Sequence, residues 1–156
     1  MKKEIKTRKN LESAFAGESM AYQKYLYFAS LARKKGNEEV AKLFEETAAH
    51  EIAHARGHLH FLYPEDMFSV EDLLKLAIDG ETFEYTEMYP GYSKTAKEEN
   101  DMAAVAEFEE QIMESKEHAQ WFKTKLDKIS KVFGGLAKTE ESHANGYREA
   151  LANLKK

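Results

Sequence analysis

Helix-breaking residues are scarce in this sequence, and that scarcity limits its possible folds more than any other feature. Only two prolines and eight glycines occur in 156 residues. Apolar residues recur at spacings of three and four in every long stretch. No stretch shows the sustained alternation of Val, Ile or Thr that is typical of a strand. The sequence therefore predicts an all-α protein.

Turn signals divide the chain into four predicted helices. The signals are Gly36-Asn37, Pro64, a capping-box-like start at Ser69 and Asp72, and Asn100-Asp101. The predicted helices span about 9–35, 38–63 and 69–99, with a last one from about 100 to the C-terminus. Within the third helix, Pro90-Gly91 predicts a kink.

Composition excludes several classes of function. A chain of this length with 42% hydrophobic residues can bury one core, so we expect a single domain over residues 1–156. The net charge of -5 argues against nucleic acid as a partner. The sequence has no apolar run for a membrane segment, and the basic start lacks that of a signal peptide, so we expect a cytoplasmic protein. Without cysteine, any metal must bind to His, Asp and Glu.

Carboxylates and histidines interrupt the apolar stripe of every predicted helix, at positions that should face the interior of a bundle. The second and last helices each carry a Glu-x-x-His pair in the same register. The interrupting residues are Glu18, Glu51, His54, Glu81, Glu84, Glu140 and His143.

Together these residues indicate a metal site. Any one of the acids alone would be assigned to a solvated helix face. Five inward-facing carboxylates with two histidines must instead neutralise or share cations. Carboxylates that bridge two ions, with Glu and His three residues apart, are the arrangement of di-iron and di-manganese bundles. A metal-free helical assembly module is the alternative from another class.

Three segments resemble a known family. They are Ala-Phe-Ala-Gly-Glu-Ser at 14–19, His-Glu-Ile-Ala-His at 50–54, and Gly-Glu-Thr-Phe-Glu at 80–84 with Glu-Met-Tyr-Pro at 87–90. In order and spacing they resemble the rubrerythrins, ferritin-like di-iron proteins that reduce hydrogen peroxide. The resemblance covers nearly all of residues 9–95.

The resemblance implies a ferritin-like four-helix bundle and a role for each matched residue. Glu18 and Glu84 would be terminal carboxylate ligands, Glu51 a bridging ligand and His54 a terminal imidazole. Glu81 would be the extra ligand that separates rubrerythrins from other ferritin-like proteins.

Catalytic roles are implied as well. His54 and Glu84 would exchange as ligands at one iron. The phenol groups of Tyr25 and Tyr89 would lie next to the metal ligands without binding the metal themselves. The implied cofactor is two Fe ions per site, which Mn or Zn could replace with the same ligand types.

The last third of the chain departs from the family pattern. Family spacing places the final Glu-x-x-His at Ser115 and His118, where the Glu is missing. Glu140 and His143 form a complete copy 25 residues later. We therefore predict Glu140 as the second bridging ligand and His143 as its partner, with Glu114 and His118 as the competing pair. This choice requires an insertion at about 101–126.

The same region predicts one long helix. A three-four spacing runs unbroken from 105 to 154, and its positions are apolar or aromatic except for Ser115, Glu140 and His143. Gly134-Gly135 is the only weak point of the predicted helix. A helix of some fifty residues would be about 80 Å long, beyond the length of one bundle. Its far end would then deliver Glu140 and His143 to a partner chain, as in a helix-exchanged homodimer.

The resemblance implies a di-iron peroxidase that reduces hydrogen peroxide to water in oxidative-stress defence. Full rubrerythrins carry a rubredoxin domain that feeds in electrons, and a chain without cysteine has none. An external donor, such as a separate rubredoxin, is therefore implied. Ferrous-iron oxidation for storage is the alternative within metal chemistry.

Overall fold

The structure, a computed structural model, describes residues 6–154, and every regular element in that range is helical. Residues 1–5 and 155–156, which include half of the basic start and the predicted end of the last helix, lie outside the described range. The helices are α1 (Lys6–Lys34), α2 (Glu38–Leu62), α3 (Val70–Phe83), a π-helical segment (Glu84–Met88), α4 (Tyr89–Glu99) and α5 (Met102–Leu154), with a 3₁₀ turn at Glu65–Met67. The predicted all-α class is confirmed.

The chain forms two compact units, Met1–Phe68 and Ser69–Lys156. The first unit is a hairpin of α1 and α2. Its turn uses Gly36 at a φ of 80°, and Asn37 caps α2 by accepting the Val40 N–H at 3.1 Å. Small residues are buried along the hairpin, and Phe44 packs against the cluster of Ala29, Ala32 and Ala41. Buried alanines let two packed helices approach closely.

The second unit begins at the predicted cap. Ser69 and Asp72 form a reciprocal capping box, with the Asp72 N–H 3.2 Å from Ser69 Oγ and the Ser69 N–H 3.1 Å from Asp72 Oδ2. Asn100 in the left-handed conformation ends α4, and Asp101 caps α5 by accepting the Ala104 N–H at 3.0 Å. These side chains satisfy backbone groups that the helices leave free.

The regular α-helix is interrupted close to the predicted kink at Pro90-Gly91. The helix changes one turn earlier, in the π-helical segment Glu84–Met88, where the Tyr89 N–H reaches back to the Glu84 carbonyl. Pro90 lies in the first turn of α4. Proline has no backbone N–H to donate. At this position that costs no hydrogen bond, because the π-helical segment has already interrupted the regular α-helical hydrogen bonds of the backbone.

Helix α5 has 53 residues and is continuous through Gly134 and Gly135, as predicted. Its two halves differ in burial. Val105, Ser115 and Ala119 in the first half are buried, whereas every residue from 130 to 153 except Ala144 is exposed. The core of the second unit therefore lies on the first half of α5. Within residues 6–154, no helix is long and apolar enough to span a bilayer.

Candidate metal centre

The first unit brings together Glu18 from α1 with Glu51 and His54 from α2. One ligand atom from each residue lies within 4.8 Å of the other two, and His54 Nδ1 is 3.5 Å from Glu51 Oε2. Two residues three apart on one helix face the same neighbour, so α2 presents carboxylate and imidazole together. We call these three residues the hairpin trio.

Burial of the trio is partial. The Glu51 side chain is 18% exposed and that of His54 61%. The apolar stripes predict inward-facing positions for these residues, but two packed helices enclose a side chain from one side only. The trio is therefore accessible to a metal ion from solvent.

The electrostatics of the trio favour a cation. A side-chain hydrogen bond with Glu51, together with desolvation and the Glu51 charge, raises the pKa of Glu18 above its usual range. Glu18 therefore keeps its proton to a higher pH than an isolated glutamate does when no cation is present. A metal ion would take the place of that proton, so the donor set fits a divalent metal.

Aromatic rings pack together on the two helices that carry the trio. The Tyr25 ring centroid is 5.9 Å from that of Phe44 and 6.5 Å from that of Phe28. The structure thus holds Tyr25 by ring packing on the stripe that carries Glu18. The prediction that its phenol group lies next to the metal ligands stays a prediction.

The second unit forms two contacting pairs, Glu84 with Ser115 and Glu81 with His118, which we call the α3–α5 cluster. Ser115 Oγ donates a hydrogen bond to Glu84 Oε2 at 3.0 Å. His118 Nδ1 lies 3.5 Å from Glu81 Oε1, and the His118 ring lies 5.2 Å from that of Trp121. Two carboxylates and an imidazole therefore stand on adjoining helices, with a hydroxyl where a third carboxylate could stand.

Tyr89 lies one π-helical turn after Glu84. Its ring packs near Tyr92 and Phe108, with centroids 6.2 Å away in each case. Burial, followed by the negative charges of Glu84, Glu107 and Glu81, raises the pKa of Tyr89. The phenol therefore keeps its proton near neutral pH.

Glu140 and His143 lie elsewhere, on the second half of α5. Their side chains are 79% and 59% exposed, and Glu140 Oε2 is 3.8 Å from His143 Nδ1. Twenty-two residues separate Glu140 from His118, which is about 33 Å along a helix. Within one chain, the second unit therefore does not bring Glu140 and His143 close to Glu81 and Glu84. Its assignment as ligands stays a prediction that requires a partner chain.

Of the competing pair, the structure brings His118 to Glu81, while Glu114 is exposed. Sequence reasoning gave no role to Ser115. The signal was present, because Ser115 is a lone hydroxyl within the apolar stripe of α5. A polar residue at such a position is expected to have a buried partner.

This chain is similar to known proteins of one family. The chain matches the Rubrerythrin family over residues 9–151. It is 38% identical to rubrerythrin of Porphyromonas gingivalis, over 96% of this chain and 68% of that protein. It is 32% identical to rubrerythrin of Nitratidesulfovibrio vulgaris, over 96% and 71%. Nigerythrin in its fully reduced state is 32% identical, with a TM-score of 0.41 over 80% of this chain and 67% of that one.

The match to the Rubrerythrin family includes both the hairpin trio and the α3–α5 cluster. The predicted ferritin-like class is thereby confirmed. The chain belongs to the rubrerythrin family, whose members are di-iron oxidoreductases.

Proposed function

We propose that this protein is a di-iron peroxidase that reduces hydrogen peroxide to water with electrons from an external donor, in cytoplasmic oxidative-stress defence. The observation that carries the proposal is the hairpin trio, whose three ligand atoms lie within 4.8 Å of one another. When bound, two ferrous ions supply both electrons for H₂O₂ + 2 e⁻ + 2 H⁺ → 2 H₂O, so no radical is released.

The residues available to hold the metal are carboxylates and imidazoles, which suit Fe, Mn and Zn. We propose Glu51 as a bridging ligand and Glu18 and His54 as terminal ligands from the hairpin. Glu81 and Glu84 are the proposed carboxylate ligands from the second unit, and Glu84 is also the proposed exchange partner of His54.

For the second imidazole we propose His118, supported by its 3.5 Å approach to Glu81. Glu140 and His143 remain the alternative if the α5 tail of a partner chain supplies them.

Tyr89 is the residue that we propose as a hydrogen-bond donor to peroxide. Its raised pKa keeps the hydroxyl protonated near neutral pH, so it can donate a hydrogen bond to an oxygen atom of bound peroxide. Tyr25 is proposed for the same role from the hairpin. Electrons must come from a centre outside these 156 residues, which contain no cysteine for an iron–sulfur or rubredoxin centre. The donor that we propose is a separate one-electron carrier.

We also propose a homodimer, supported by the second half of α5. Phe133, Leu136 and Tyr147 on its stripe are 60%, 55% and 76% exposed. Apolar residues at helical spacing are expected to be covered, and a second copy is the proposed partner.

Metal analysis with turnover assays tests the proposed function. Wild-type protein should bind two irons per chain and consume peroxide only when NADH, a reductase and a one-electron carrier are present. Glu51→Gln and His54→Ala should lose iron, while the exposed controls Glu46→Gln and His50→Ala on the same helix should keep it. Full iron content in both ligand variants would contradict the assignment. Iron uptake and oxidation without peroxide turnover would indicate storage instead.

A further inference from the structure

Ser115 is one of two buried polar side chains among the described residues, and the other is Ser93. It is 3% exposed and lies one helical turn before His118 on α5. Its Oγ donates to Glu84 Oε2 at 3.0 Å. Ser115 therefore contacts a proposed metal ligand directly and is shielded from solvent.

The environment of Ser115 makes this bond strong. A buried hydroxyl is costly unless it is hydrogen-bonded. An ionised acceptor makes the bond roughly twice as strong as one between neutral groups. The bond also constrains Glu84, because one of its two carboxylate oxygens is already engaged by the hydroxyl.

The backbone at Glu84 adds to the constraint. Glu84 is the first residue of the π-helical segment, and its carbonyl accepts the Tyr89 N–H. Both the main chain and the side chain of Glu84 thus have fixed partners within the second unit. A ligand held in this way loses little conformational freedom when a metal ion binds.

We propose that Ser115 is a positioning residue for metal binding: its hydroxyl holds Glu84 Oε2, so that the other carboxylate oxygen, Oε1, would stay available to a metal ion. This inference rests on the proposed function. It also explains why an uncharged donor is compatible with this stripe position. A carboxylate within hydrogen-bond distance of Glu84 would repel it in the metal-free protein, whereas a hydroxyl stabilises it.

Co²⁺ binding to the full chain tests the proposal. Ser115→Ala should weaken Co²⁺ binding by about 10- to 100-fold, the range found when a partner of a ligand is removed. It should also change the intensity of the visible Co²⁺ absorption, because Glu84 becomes free to bind through both oxygens. Ser115→Thr keeps the hydroxyl and should restore both properties.

Ser93→Ala is the matched control. Ser93 is 4% exposed on α4, and its Oγ has no hydrogen-bond partner among the described residues. Its replacement should leave Co²⁺ affinity and absorption unchanged, even if thermal stability shifts.

Wild-type affinity and absorption in Ser115→Ala would overturn the positioning role while leaving the proposed function intact. If Ser115→Ala fails to fold, Ser115→Thr decides the question. A folded Ser115→Thr variant whose Co²⁺ affinity is about 10- to 100-fold below that of the wild type would also overturn the positioning role. Failure of the wild-type chain to bind Co²⁺ would overturn the inference together with the metal site on which it rests.

Discussion

The two halves of α5 share one apolar stripe but have opposite surroundings. In the first half, Ser115 and Ala119 are buried, and the half carries Ser115 and His118 to two glutamates. In the second half, Glu140 and His143 show the complete ligand motif, yet they are exposed and contact each other. Within one chain, His118 thus has a carboxylate partner on another helix, whereas the carboxylate partner of His143 lies on its own helix.

The largest expected effect is at the buried half. Ser115→Glu places a second carboxylate beside Glu84, and an uncompensated buried charge should lower the free energy of unfolding of the metal-free chain by about 3 kcal/mol. Excess Mn²⁺ should reverse most of this loss, because the cation compensates both carboxylates. Urea unfolding in chelator and in Mn²⁺ measures the difference. Ser130→Glu, on the exposed half, is the control; an equal loss there would contradict the comparison.

At the exposed half, charges on the stripe should break the proposed dimer. Leu136→Asp with Tyr147→Asp should weaken self-association by about 100-fold, as expected for two central apolar contacts. Lys138→Asp with Asn145→Asp, which lie off the stripe, should leave it unchanged. Analytical ultracentrifugation over a concentration series gives the dimer dissociation constant of each variant. Identical dissociation constants for the stripe variant and the wild type would show that this face is not the interface.

A smaller effect is expected at the glycines where the halves meet. Apart from its chain neighbours and the nearby backbone of its own helix, a Cβ at Gly134 or Gly135 would meet no described atom within 4 Å. Each Gly→Ala change should therefore add about 0.5–1 kcal/mol to the free energy of unfolding, because alanine loses less backbone entropy in a helix. Thermal unfolding followed by circular dichroism measures the gain. A loss of stability would instead reveal a close approach by a partner at this point.

The smallest effect concerns pH and the hairpin trio. The pKa of Glu18 lies above its usual value of 4.5 in the folded, metal-free chain. The folded state then binds more protons than the unfolded state, so stability should fall as pH rises above 4.5. Glu18→Gln should flatten this slope. An unchanged slope in chelator-treated variant protein would show that Glu18 is not the titrating group.

Local chemistry explains which parts of the fold were predictable. Ser69 with Asp72, Gly36-Asn37 and Pro64 act through nearby backbone groups, so the helix ends followed from short stretches of sequence. The π-helical segment could not be predicted from a short stretch of sequence in this way. It relieves the constraint of Pro90 one turn away, and several ways of relieving that constraint fit the same residues.

The candidate site divides in the same way. Glu51 and His54 lie three residues apart on one helix, and helical geometry alone brings them together. Ser115 contacts Glu84 across 31 positions of sequence, so only packing shows the contact. Periodicity predicts that the face carrying Phe133 is apolar, but what covers that face depends on the assembly.

The central claim is that the first half of α5, and not the second, supplies the metal-binding imidazole. Iron per chain in His118→Ala and in His143→Ala, each folded and loaded under the same conditions, tests this claim most directly. We predict a clear loss of iron in His118→Ala and wild-type iron content in His143→Ala. Loss in His143→Ala with full content in His118→Ala would contradict the claim and show that the tail of α5 completes the centre in a partner chain.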